Sequence, residues 1–307
     1  MEHNIYLYGM ITYTTALLLR GEFPQANNYS EVREKHVFPG GETGGAATVL
    51  ASLGCKVKMD GNHMGFNTDK PVRSFYDKIG VDISRLHFDH DYAGVDEVII
   101  IDKDTRTTFG PFAAYFEDYY GKNIIRWNTP VEDDIKSVKA AGIDPFFGEE
   151  AKLAARCCRK NKIPFVTIDE RPEHEVCKLA SVIVTSSDWI RDTLPGYCND
   201  GGKVELLKKY MDNSNALTVI TSGGGNILYG RNGEIKKADA FKVDTVSTLG
   251  AGDTFKAACI YGLSQGWQDD KIIGFSAACA AVACTKFPLP FNPPTVEEAE
   301  RLMESQR

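Results

Sequence analysis

Short apolar runs alternate with longer stretches of helical periodicity along most of this 307-residue chain. The strand candidates are Ile5–Met10, Val57–Asp60, Val95–Asp102, Val138–Ile143, Pro164–Asp169, Ser181–Thr185 and Leu217–Thr221. The helix candidates are Thr43–Leu53, Pro71–Ile79, Gly148–Asn161, Lys203–Met211, Gly252–Leu263, Asp269–Cys284 and Thr295–Glu304. Repeated strand–helix units lay successive strands side by side in parallel, and a parallel sheet needs helices on both faces. The expected fold is therefore α/β, with a mostly parallel central sheet.

Two regions break the alternation. Residues 13–38 are polar and irregular, and residues 92–116 combine Val98-Ile99-Ile100-Ile101 with Arg106-Thr107-Thr108. Taken alone, both read as surface excursions. No Pro/Gly/Ser linker divides the chain, so residues 1–307 are expected to form one domain. Apolar residues make up 43% and charged residues 25%, an ordinary globular balance. No apolar run reaches a membrane span, and the N-terminus lacks a signal-peptide layout, so a cytoplasmic location is expected. A net charge of −7 argues against a general nucleic-acid surface. None of the eight cysteines forms a Cys-x-x-Cys pair, which argues for reduced thiols over a zinc site or disulfide framework.

The chemistry concentrates at Val246-Ser247-Thr248-Leu249-Gly250-Ala251-Gly252-Asp253-Thr254-Phe255. Phe255, Ala258, Cys259, Gly262 and Leu263 recur at helical spacing, and Gln265-Gly266 reads as the helix end. The Gly-Ala-Gly turn thus sits at a helix N-terminus, where N–H groups and the macrodipole favour an anion. Asp253 beside it can accept a proton from an attacking hydroxyl. Together they equip the chain for phosphoryl transfer to an alcohol. A tight turn with an acidic dipole partner is the plainer reading of the same residues.

Gly250-Ala251-Gly252-Asp253 with its trailing helix resembles the C-terminal signature of the ribokinase-like, or PfkB, carbohydrate kinases. Upstream, the stretch from Pro39-Gly40-Gly41-Glu42-Thr43-Gly44-Gly45 to Leu53-Gly54 is similar to that family's Gly-Gly motif. Gly65, Asp69, Gly80-Val81-Asp82 and Leu86 follow the family pattern in the right order. The wording around Gly250, followed by Leu263-Ser264-Gln265-Gly266, looks closest to the ketohexokinase branch.

The resemblance implies a ribokinase-like three-layer sandwich with a small β-lid built from about 13–38 and 92–116. The lid often serves dimerisation, so a homodimer is a further expectation. Asp253 would be the catalytic base, with Gly250, Ala251 and Gly252 offering N–H groups to the transferring phosphoryl. Gly40, Gly41, Gly44 and Gly45, with Thr12 and Arg106, would meet a sugar or sugar derivative. Thr221-Ser222-Gly223-Gly224-Gly225-Asn226 is neither a Walker A loop nor a Rossmann fingerprint. It matches the family's nucleotide loop, placing Ser222, Gly223 and Gly225 near ATP, with Ser186 and Thr248. Ala277, Ala278, Cys279 and Ala281 could flank adenine or serve only helix packing. Asp169-Glu170-Arg171 resembles a segment near the phosphates, while Arg171 reads equally well as a surface residue.

The departures from the family pattern fall on substrate and metal contacts. Thr12 stands where most relatives carry a sugar-binding Asp, and Gly45 where many carry Asn. The Asn-x-x-Glu motif linked to magnesium is replaced by Ser186-Ser187-Asp188-Trp189. Ser247 replaces the Asp before Thr248, which leaves the usual monovalent-cation site doubtful. ATP and Mg²⁺ remain expected, with Asp188 or Asp169 as candidate metal holders. Fewer acceptors and more room suggest a substituted or anionic sugar over ribose. A nucleoside or polyol kinase, and a catalytically silent sugar-binding relative, are the competing readings.

Overall fold

The computed structural model describes residues 3–102 and 105–306. Residues 103 and 104 of the expected lid, and residues 1, 2 and 307 of the expected domain, lie outside the described residues. Twelve strands run in chain order among the described residues. They are β1 (Ile5–Gly9), β2 (Thr12–Leu19), β3 (Val32–Gly40), β4 (Val57–Gly61), β5 (Asp96–Ile101) and β6 (Arg106–Phe109), then β7 (Ala140–Ile143), β8 (Phe165–Ile168), β9 (Val182–Ser186), β10 (Leu217–Thr221), β11 (Ile227–Arg231) and β12 (Glu234–Ala238). The helices are α1 (Glu42–Ser52), α2 (Asp69–Ile79), α3 (Phe112–Lys122), α4 (Glu132–Ile135), α5 (Gly148–Lys160), α6 (Glu175–Leu179), α7 (Ser187–Thr193), α8 (Asp200–Asn213), α9 (Ala251–Ser264), α10 (Asp269–Cys284) and α11 (Val296–Ser305).

Eight strands form the central sheet in the order β12-β11-β10-β9-β8-β7-β1-β4. From β4 to β10 all neighbours are parallel, and β11 and β12 add an antiparallel edge. Successive side chains of a strand point to opposite faces, so a buried strand feeds two cores. On β1, Ile5 and Leu7 enter one core with α1, α9 and α10. Tyr6 and Tyr8 enter the other with α5, α6 and α8. This is the three-layer α/β sandwich the alternation predicts.

The segment 13–38 is not irregular. It carries β2 and β3, which pair with β5 and β6 as a second sheet in the order β3-β2-β5-β6. Thus Val95–Asp102, read as one strand of the alternating set, belongs to the small sheet. Ala16, Leu18, Phe38, Ile99 and Ile101 form its apolar face, packed on Leu249 and Phe287. Leu249 immediately precedes the Gly250 turn, so lid and turn share a contact.

Sequence reading passes over β11, β12, α3, α4, α6 and α7. The edge strand β12 has no fully buried residue, and α7 is a seven-residue helix with Ile190 buried, so neither leaves a period to read. Helix α3 begins at Phe112, inside the segment 92–116 expected to belong to the lid, and runs beyond it to Lys122.

Candidate active site

A cavity of about 370 Å³ lies between the carboxyl ends of the central strands and the small sheet. Its wall includes Thr12, Thr14, Gly40, Gly41, Glu42, Gly45, Glu97, Arg106, Asp169, Ser186, Thr221, Thr248, Gly250, Gly252, Asp253 and Lys256. The crevice beyond the carboxyl ends of parallel strands is where such folds place ligands.

The Gly250 turn builds one wall. Gly250 is left-handed (φ 78°) and caps α9, which begins at Ala251, one residue before the expected start. The Ala251 N–H donates to the Thr248 carbonyl at 3.2 Å and closes the turn. It is therefore not available to an anion, a correction to the sequence reading. Among the described residues no acceptor meets the N–H groups of Gly250, Gly252 or Asp253. They are the orphan donors of a helix start. Asp253 sits in the first helical turn, and Gly45 of α1 packs against it: a Cβ at Gly45 would lie 3.1 Å from Asp253 Oδ2. Burial raises Asp253 to about 6 against the pull of Lys256. The helix end alone favours the ionised form; the enclosure is what raises the value.

The second wall begins where β3 ends. Gly41 caps α1 at φ 80°, and a Cβ there would meet the Met10 carbonyl at 2.6 Å. Glu42 and Gly45 are three residues apart on α1 and face the cavity together. Gly44, turned off that face, does not line the cavity; a Cβ there would meet the Tyr76 hydroxyl at 2.7 Å. Its expected sugar contact is corrected to a packing role. Burial raises Glu42 to about 8, with Asp144 and Asp253 adding to the push.

Thr12 lines the cavity as expected, but its hydroxyl donates to Glu97 Oε1 at 2.7 Å. Thr14 donates to the same oxygen at 2.6 Å. Glu97 reaches in from β5 and thus supplies a carboxylate beside Thr12. The expected shortage of acceptors is corrected: Glu42 and Glu97 both face this space. The signal for Glu97 was present, since 97, 99 and 101 share one strand face and are all buried. Lys256, one turn beyond Asp253, is the one cation on an otherwise largely apolar helix. It is closed to solvent and bonded to Asp144, which also accepts from Met10 N at 3.0 Å and Thr43 Oγ1 at 2.8 Å.

At the other end Arg106 donates to Thr248 Oγ1 at 3.5 Å and lies 3.9 Å from Asp188. Asp169 accepts from Ser186 N at 2.8 Å and Oγ at 3.3 Å, and burial raises it to about 6. Ser186 also caps α7 through Trp189 N. Ser222, Gly223 and Gly225 are not on the cavity wall, which stops at Thr221. The Gly225 N–H turns back to the Ser222 carbonyl, and Ser222 Oγ is bonded to Ser187 and Lys203, while Gly223, Gly224 and Gly225 are exposed. Asp188 is bonded to Arg191 and Arg171 is exposed; neither lines the cavity. Ala277, Ala278 and Cys279 are part of the core.

Residues 4–295 match the model of the pfkB family carbohydrate kinases. The chain belongs to that family. It is a sugar kinase by that membership, and ATP is the donor the family implies. The kinase is 26% identical over 289 residues to 5-dehydro-2-deoxygluconokinase of Bacillus subtilis, covering 88% of this chain and 87% of that one. It is 26% identical over 305 residues to the enzyme of the same name from Clostridium perfringens, covering 91% and 87%. Its fold matches a putative ribokinase from Agrobacterium tumefaciens, with a TM-score of 0.84 at 20% identity over 99% and 98% of the two chains. It also matches Arabidopsis thaliana ribokinase complexed with ribose and ATP, with a TM-score of 0.78 at 14% identity over 99% of each. Beside these, the ketohexokinase-like wording around Gly250 is a minor resemblance.

Proposed function

We propose that the kinase, read as one domain over residues 1–307, transfers the γ-phosphoryl of ATP to a hydroxyl of a sugar derivative, with Asp253 as the base. The observation that carries this reading is the meeting of Asp253 with the unpartnered N–H groups of Gly250, Gly252 and Asp253 at the start of α9. The acceptor oxygen bonds to the γ-phosphorus as the bond to the bridging oxygen breaks. Asp253 takes the hydroxyl proton, and ADP leaves. The N–H groups, the helix dipole and Arg106 stabilise charge on the transferring group. A base of pKa about 6 is ionised at neutral pH and still able to hold a proton.

The acceptor lies at the Thr12, Gly40, Gly41 and Glu97 end. ATP lies toward Ser186, Thr221 and Thr248, with the Ser222–Gly225 turn at its edge. Mg²⁺ fits the hard oxygens of Asp169 and the nearby hydroxyls, which form no closed cage, as expected for an ion held mainly by phosphates and water. When bound, it neutralises phosphate charge. The lid carries exposed Phe23, Val32, Val37 and Phe109, the residues a second copy would cover in a homodimer. No helix among the described residues is long and apolar enough to cross a membrane.

An ADP-release assay with Mg-ATP across ketoses, aldoses, amino and acidic sugars, polyols and nucleosides tests the reading, with Asp253→Asn in parallel. Turnover on a sugar class that disappears in Asp253→Asn supports it. Preference for a nucleoside reassigns the acceptor. Ligand binding with no turnover on any class supports a silent, regulatory relative.

A further inference from the structure

The acceptor end of the cavity holds two acidic side chains, and among the described residues no cation is in ion-pair contact with either. Glu97 is only 6% exposed. Its Oε1 takes both threonine hydroxyls, while its Oε2 has no partner among the described residues. Glu42 shares the same space, and among the described residues neither carboxylate is in ion-pair contact with a Lys, Arg or His. Among the described residues, the two cations of the cavity wall are engaged elsewhere. Lys256 is held by Asp144 and points its remaining capacity at the Glu42 carbonyl, 3.5 Å away. Arg106 stands at the phosphate end, by Thr248 and Asp188.

We propose that the acceptor carries a protonated amine, held by Glu97 and Glu42 while one of its hydroxyls faces Asp253. The inference rests on the kinase reading of this cavity. An ammonium supplies three donors and a positive charge to carboxylates already partly withdrawn from water. Burial, with Asp144 and Asp253, raises Glu42 to about 8 against the pull of Lys256, and a bound cation would favour its ionised form. A sugar acid would bring a third carboxylate to the same end, and repulsion in a partly desolvated site is severe. A neutral sugar would satisfy hydrogen bonds and leave Glu97 without a cation in contact. The chain thus departs from its curated relatives, whose names specify a gluconate derivative.

Titration calorimetry on the full chain, without nucleotide, compares matched probes. They are 1-amino-1-deoxy-D-fructose against D-fructose, D-glucosamine against D-glucose, and D-gluconate. At least one amine should bind about tenfold or more tighter than its neutral partner, with D-gluconate weakest. In Glu97→Gln the ratio should fall toward unity. Glu42→Gln, which leaves the Thr12–Thr14 network intact, should lower it as well, and thermal melts check that both variants fold. Equal binding of neutral and amino sugars, tightest binding of gluconate, no binding of either amine, or a ratio unchanged in both folded variants overturns the proposal. ADP release is scored separately. Transfer to sugars without amine preference leaves the kinase reading standing and sinks this inference; amine binding without any transfer does the reverse.

Discussion

Lys256 and Asp144 form an ion pair sealed from solvent, with side-chain exposures of 1% and 0%. The pair ties α9, one turn beyond Asp253, to the end of β7, and Asp144 in turn grips Met10 N and Thr43 Oγ1. Three elements that shape the cavity therefore depend on one buried contact.

Removing one partner of such a pair strands the other charge. Lys256→Met should destabilise the protein by about 3–5 kcal/mol. Lys256→Met with Asp144→Asn should recover part of that loss, because the amide still accepts from Met10 N and Thr43 without a charge. Urea unfolding of both variants checks this. A single variant as stable as the parent would show that the pair does not hold the fold. Lys256 lowers the Asp253 pKa and Asp144 raises it, so the acid limb of kcat/KM should move above about 6 in Lys256→Met and move back in part in the double variant.

Glu42 sits at about 8 and Asp253 at about 6 in the folded protein, against ordinary values of 4.5 and 3.8. The native state therefore binds more protons than the unfolded one between those limits. Stability from these groups is fully present below the ordinary values and is lost as pH rises through the folded ones. Glu42→Gln should leave stability near pH 4 little changed and raise it relative to the parent at pH 9. Denaturant midpoints across pH give the difference directly, and parallel curves would refute the shift.

Asp253→Asn keeps shape and removes the base. Activity should fall about 10²–10⁴-fold, the usual worth of a positioned base. The thermal midpoint at pH 8 should not fall, since a desolvated charge is removed. In the parent, kcat/KM should decline as pH drops through about 6 and the carboxylate takes a proton. A variant of near-parental rate would remove Asp253 from the chemistry.

Gly45→Ala places a methyl group 3.1 Å from Asp253 Oδ2 and 3.2 Å from its Cβ. The substitution improves helix propensity by about 1 kcal/mol, offsetting the crowding. Stability should change little while kcat drops about tenfold or more, because small displacements of a reacting group lower rates steeply. An unchanged kcat would show that Asp253 has room to move.

The layers and the Gly250 turn at a helix start were legible because both are local. Alternation along β1 assigns Ile5 and Leu7 to one face and Tyr6 and Tyr8 to the other. The run from Phe255 to Leu263 shows that Gly250 precedes a helix. The lid strands β2 and β3 were harder to see, because one face of this sheet is exposed and β3 is largely polar. The Ser222–Gly225 turn was legible only as a glycine-rich strand end; how far it stands from the cavity wall follows from the tertiary structure.

By itself, the sequence determined which residues share a face, where strands yield to helices, and that Asp253 opens a helix behind a glycine turn. Only tertiary structure decided what faces Asp253. Glu97 reaches Thr12 across 85 residues, and Lys256 reaches Asp144 across 112. Periodicity tells a side chain to turn inward. It carries no information about which distant carboxylate, hydroxyl or ammonium will be waiting there, because that follows from strand order and helix packing.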